Sequence, residues 1–209
     1  TFDMLLENGA DVNVSGKNAY SVLLLAVIRG DRSLAKTLVG KGADVNATPV
    51  GGISPFLAVV YLGDKETAQF MIAKGANVNV ACSEGLTALA LAANGGVWPP
   101  ECSGHSDPMF AINMKRPGQE YDLPGMVELL LFHGADSTIA SARGTTPLFL
   151  AATNGASEAV DALLAAAADP KCRDSLGNTP LHAAAAGGFI DIVETLIERG
   201  ADINAADDR

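Results

Sequence analysis

The sequence predicts an all-α solenoid of stacked helix-turn-helix units joined by extended hairpin loops. Three observations predict it. First, one motif returns at fixed spacing: "NGADVN" at Asn8–Asn13, "KGADVN" at Lys41–Asn46, "KGANVN" at Lys74–Asn79, "HGADST" at His133–Thr138, "AAADPK" at Ala166–Lys171 and "RGADIN" at Arg199–Asn204. Its alanines are Ala10, Ala43, Ala76, Ala135, Ala168 and Ala201, so the steps are 33, 33, 59, 33 and 33 residues. Second, another motif keeps the same phase: "SVLLLAVIRG" from Ser21, "SPFLAVVYLG" from Ser54, "TALALAANGG" from Thr87, "TPLFLAATNG" from Thr146 and "TPLHAAAAGG" from Thr179. Third, aromatic residues are only 5% of a chain that is 48% hydrophobic and 18% charged. That composition is too apolar for a disordered chain, and it builds a core from Ala, Leu, Val and Ile, which suits closely stacked helices. A unit of this length cannot bury its apolar face alone, so neighbouring units must stack on one another.

The elements follow in order within each unit. Ser21, Ser54, Thr87, Thr146 and Thr179 precede apolar helical stretches, as N-cap residues do. Pro55, Pro147 and Pro180 follow at the first helical position, where a missing N–H costs nothing. Val22 and Ala88 take that place in two units and weaken those starts slightly. The second helices read clearly in "MVELLLFH" at Met126–His133 and "IDIVETLIER" at Ile190–Arg199, where Val127, Leu130 and Leu131, and Ile192, Val193, Leu196 and Ile197, follow helical spacing. Gly9, Gly42, Gly75, Gly134 and Gly200 close the second helices in a left-handed cap. Ala167 replaces glycine there in one unit, at a cost of about 1 kcal/mol if it adopts the same conformation.

These spacings divide the chain into a partial repeat at 1–13, repeats at 14–46, 47–79, 80–138, 139–171 and 172–204, and the start of a further repeat at 205–209. Residues 1–13 hold a second helix without its first. The 16 residues "FIDIVETLIERGADIN" read as an internal repeat, so further repeats or another domain are expected beyond Arg209. The 59-residue step places an insertion at 97–122, in the turn between the two helices of the third full repeat. It carries the single Trp, Trp98, together with Met109, Phe110, Tyr121 and four of the ten prolines. Long loops in compact arrays are functional or disordered; this one is aromatic enough to fold back onto the array.

The two motifs, in phase over the whole chain except about residues 97–122, resemble the ankyrin repeat family, whose 33-residue unit starts with Thr-Pro-Leu-His and ends with Gly-Ala-Asp. The resemblance implies a protein–protein interaction scaffold. A second reading is the regulatory or targeting domain of a larger enzyme or channel whose active part lies outside this chain. In the family's Thr-Pro-Leu-His slot, His182 is implied to bond backbone near the loop. Asn13, Asn46, Asn79 and Asn204 match loop asparagines that hydrogen-bond the loop backbone and that in this family are sometimes hydroxylated.

No chemistry competes with that reading. There is no phosphate-binding glycine loop, nucleophile elbow or HExxH pattern. Cys102, His105 and Asp107 lie close together but fall short of the roughly four spaced ligands of a zinc site. His133 flanks a helix C-terminus, where a cation is mildly favoured. No enzyme activity, metal or cofactor is expected. Net charge is −10, distributed as 0, −3 and −7 over residues 1–46, 47–122 and 123–209. Without a basic stripe, nucleic acid is excluded as a partner. No apolar run approaches the ~20 residues a membrane span needs. Three cysteines at spacings that suggest no disulfide framework favour a reducing, cytoplasmic setting, and the expected assembly is a monomeric array binding another protein. An open solenoid also offers small molecules no deep pocket.

The resemblance places binding on the loop tips and the concave face of the first helices. Carried over repeat by repeat, it points to Tyr20, Ile28, Val50, Ile53, Tyr61, Leu62 and Leu86 in the first three repeats, with Trp98 of the insertion as a second candidate. The corresponding positions in the last two repeats are small or polar: Thr145, Thr153, Asn154, Asn178, Ala186 and Gly187. A contiguous exposed apolar patch marks an interaction surface, so Tyr20, Ile53, Tyr61 and Leu62 are expected to stand exposed.

Overall fold

The computed structural model describes residues 8–15, 20–48, 53–95 and 122–208. Among them are ten helices: α1 (Val22–Arg29), α2 (Arg32–Gly40), α3 (Pro55–Tyr61), α4 (Lys65–Ala73), α5 (Ala88–Ala93), α6 (Leu123–Phe132), α7 (Pro147–Thr153), α8 (Ser157–Ala165), α9 (Pro180–Gly187) and α10 (Ile190–Glu198). Odd-numbered helices are the first of each pair and even-numbered helices the second. The first helices stack in the order α1, α3, α5, α7, α9, and the second helices in the order α2, α4, α6, α8, α10. One contiguous core runs between the two layers, and its largest fully buried side chains are Phe56, Met71 and Met126 with a set of leucines. The partial repeat before Asn8 and almost all of the insertion lie outside the described residues.

The local chemistry that sets the helix starts is uniform. The side chains of Ser21, Ser54, Thr87, Thr146 and Thr179 accept the N–H three residues on, and each sits in extended backbone. His182 adds a reciprocal bond: its Nδ1 accepts the Thr179 N–H at 3.1 Å, closing a capping box. The implied bond from His182 to nearby backbone is therefore present. Second helices α2, α4 and α6 start at Asp31, Asp64 and Asp122, whose carboxylates accept the N–H three residues on. Helix α6 thus begins three residues before Met126, and Asp122 belongs to the array rather than to the insertion. Helices α8 and α10 start at Ala156 and Phe189, which supply no side-chain cap. The chain turns at Gly9, Gly42, Gly75, Gly134 and Gly200 with φ between 82° and 92°, and at Ala167 with φ 62°.

Loop asparagines tie successive repeats together. Asn13 Oδ1 accepts the Asp44 N–H, Asn46 Oδ1 accepts the Asn77 N–H and Asn79 Oδ1 accepts the Asp136 N–H, each at 2.8 Å. The last of these spans 57 residues of sequence, so the bond that links ordinary neighbours also links the repeats on either side of the insertion. Thr138 and Lys171 occupy the asparagine position in the next two repeats. Thr138 turns its hydroxyl onto Asp136 instead, and that hydrogen bond, aided by the Thr138 N–H, holds the Asp136 carboxyl below its ordinary range.

Candidate binding surface at the loop tips and first helices

The loops between repeats end in tight turns closed across their necks. Cys82 N–H donates to the Leu86 carbonyl, Ser141 N–H to the Thr145 carbonyl and Asp174 N–H to the Asn178 carbonyl. Adjacent tips are joined edge to edge. Ala142 N–H donates to the Glu84 carbonyl at 2.9 Å, Ser175 N–H to the Arg143 carbonyl at 2.8 Å and Asp208 N–H to the Leu176 carbonyl at 3.2 Å. Gly144 shows why the tips carry glycine. Its φ is 75°, and a Cβ there would lie 3.0 Å from the Ser175 nitrogen, in the path of the joining bond. The described tips from Glu84 to Asp208 therefore form a bonded wall rather than a row of independent fingers.

Between these tips and the first helices, at the junction of the third and fourth full repeats, lies a cleft of about 120 Å³, lined by Glu84, Leu86, Asn94, Ser141, Arg143, Thr145 and Leu150. Most polar groups around the cleft are already engaged. Ser141 Oγ and Thr145 Oγ1 share a hydrogen bond of 2.6 Å, and Asn154 Nδ2 donates to Asn94 Oδ1 at 2.7 Å. Arg143 is exposed and has an interaction of its own. Glu84 is half-buried, and its carboxylate makes no ion pair or side-chain hydrogen bond among the described residues.

The apolar residues expected to stand exposed are placed differently. Ile28, Ile53, Tyr61, Leu62 and Leu86 are all 9% exposed or less and belong to the core. Tyr20 is half-buried and packs against that core. Val50 and Trp98 lie outside the described residues. The expectation of an exposed apolar patch is therefore corrected for Ile28, Ile53, Tyr61, Leu62 and Leu86. The physical reason is the size of the side chains: withdrawing each from water is worth about 1.5–3 kcal/mol, and a position near a helix end does not forbid it. Tyr61→Ala would open a void in the core and could not report on binding alone. On the first helices and their ends, Thr153, Asn154, Ala186 and Gly187 of the last two repeats are exposed, as are Leu25 and Arg29 of α1.

Sequence reasoning missed Glu84, Ser141, Arg143 and Leu150. A signal was available: Gly85, Gly144 and Gly177 all have positive φ and mark the loop tips, and their positions keep the repeat phase.

The cysteines also depart from expectation. Cys82 is buried and disulfide-bonded, although the cysteine spacing suggested no such bond. Cys172 is free and half-buried. Burial pushes its thiol above the usual range, outweighing the hydrogen-bonding contact at 3.1 Å with Thr146 Oγ1. Cys102, His105 and Asp107 lie outside the described residues. Among those described, no group of three or more His, Cys, Asp or Glu side chains could hold a metal ion, and no helix is long and apolar enough to cross a membrane.

Comparison with known proteins adds one finding. A family model described as ankyrin repeats matches the chain in three copies, over residues 23–98 and 119–207. A search of curated proteins finds no match.

Proposed function

Since the chain belongs to the ankyrin repeat family, whose members are generally protein-interaction modules and typically non-catalytic, we propose that it binds a protein partner along the face made by its loop tips and first helices. One observation carries this reading: the loop tips between Glu84 and Asp208 are hydrogen-bonded to one another edge to edge. A wall that is ordered before the partner arrives spares the cost of ordering loops on binding. The exposed Thr153, Asn154, Ala186 and Gly187 offer a partner backbone close approach, because their side chains are short. Tyr20, half-exposed at the same side, contributes at the other end of that face. Small open clefts and an acidic surface suit a macromolecular partner better than a small molecule, which a deep pocket would bury.

The test is substitution of open positions, which leaves the core intact. Thr153→Arg and Ala186→Arg should each abolish or strongly weaken binding of a purified partner recovered by affinity capture. Glu158→Arg, on the outer face of α8, should not. Equal loss in all three, or loss in Glu158→Arg alone, would place binding elsewhere.

A further inference from the structure

The cleft at the third and fourth repeats combines apolar walls with one carboxylate, that of Glu84, for which there is no side-chain partner among the described residues. Leu86 and Leu150 supply the walls. The hydroxyl pair and the amide pair beside them satisfy one another, so an aliphatic chain can enter without stripping those groups of their bonds. Glu84 is different. An uncharged aliphatic group packed beside it would take water from a carboxylate and return nothing, which is costly. The group that meets both demands has an aliphatic stem and a cationic end, and the volume of about 120 Å³ holds one such side chain. Lysine fits this description: its methylenes lie along apolar surface while the ammonium seeks a partner. A guanidinium fork would match both oxygens of a carboxylate, but the compact ammonium needs less room in a cleft of this volume that Arg143 already lines. The chain's net charge of −10 draws cations toward it over longer range. Arg143, at the rim, is exposed and already engaged.

We propose that this cleft is a lysine-reading subsite for the protein partner, with the lysine stem over Leu86 and Leu150 and its ammonium on Glu84. The proposal rests on the protein-binding reading above and adds the residue that is read.

The test pans a displayed library of random short peptides on the whole chain and measures Kd for the strongest peptides by fluorescence anisotropy. Lysine should recur at one peptide position. Replacing it with norleucine, which keeps the stem and removes the charge, should weaken binding about tenfold or more, as loss of a charged hydrogen bond does. Glu84→Gln should weaken the lysine peptide by the same factor and leave the norleucine peptide unaffected, while Glu158→Gln on α8 changes neither. The peptide substitution leaves the protein untouched, so an unstable variant cannot hide the answer. Recurrent arginine in place of lysine, or Glu84→Gln binding within twofold of wild type, overturns the lysine subsite and leaves the protein-binding reading standing. Selection of no peptide at all counts against both.

Discussion

Ala167 is the one non-glycine residue with positive φ among the described residues, at 62°, where the corresponding turns of the other repeats carry glycine. An alanine in that region is crowded by its own Cβ. Ala167→Gly should therefore stabilise the array by about 0.5–1 kcal/mol, measured by equilibrium urea unfolding; a loss of stability would mean the strain is relieved by contacts the turn geometry does not reveal. This residue was legible in the sequence because five glycines define the phase it breaks. Cys172 was not legible, since nothing in its spacing announces burial. Its raised thiol favours the protonated form in the folded state more than in the unfolded state. The stability it lends is thus fully present below the ordinary thiol value of about 8.5 and is lost as pH rises through the higher folded value. Wild type should lose more stability between neutral and alkaline pH than Cys172→Ser, compared by urea unfolding at each pH. An equal loss in both would remove Cys172 as the cause. The placement of Tyr61 and Leu62 was also illegible: position in the repeat predicts which way a side chain starts, and the packing around it decides whether it stays in water.

At the scale of elements, the second helices differ only in how they begin. Asp31, Asp64 and Asp122 cap α2, α4 and α6, while Ala156 holds the same place before α8 with φ −84° and ψ 75°, close to the −80° and 79° of Asp64. The backbone at Ala156 is therefore already arranged for a cap that its side chain cannot make. Ala156→Asp should add about 0.5–2 kcal/mol of stability, seen as a raised midpoint in thermal melting by circular dichroism. An unchanged or lowered midpoint would show that burial of the carboxylate at this half-buried site outweighs the cap. Phe189 presents the same vacancy before α10 but is not a comparable site. Its ring stands within 2.5 Å of where a Cβ on Gly155 would be, and within 2.3 Å for Gly187, so it fills space two glycines leave. The first helices were readable from their Ser/Thr caps and prolines. The start of α6 was not, because "DLPGM" hides its cap beside a proline and a glycine, and both residues usually mark loops.

At the scale of the molecule, the array is continuous across the insertion. Asn79 bonds Asp136, the Glu84 carbonyl accepts the Ala142 N–H, and α4 packs against α6 and α5 against α7, as in the uninterrupted repeats. Replacing residues 97–121 with a short turn, while keeping the Asp122 cap, should leave a cooperatively folding helical array by circular dichroism and melting. Broad, non-cooperative unfolding would mean that the segment carries part of the core. The repeat architecture was legible because periodicity repeats its evidence at every unit. The cleft proposed as a subsite was legible only as a side of the molecule, since it arises where two loop tips and two helices meet, and no single repeat contains it.

The proposed recognition face is the one made by the loop tips and first helices. Amide chemical shifts of the whole chain, recorded by NMR while a selected peptide or purified partner is titrated in, test it most directly. Shifts should concentrate in residues 84–86, 141–146 and 149–154 and in the first helix at 180–187, with the second helices α8 and α10 nearly unmoved. Shifts concentrated on α8 and α10, with the loop tips silent, would contradict it.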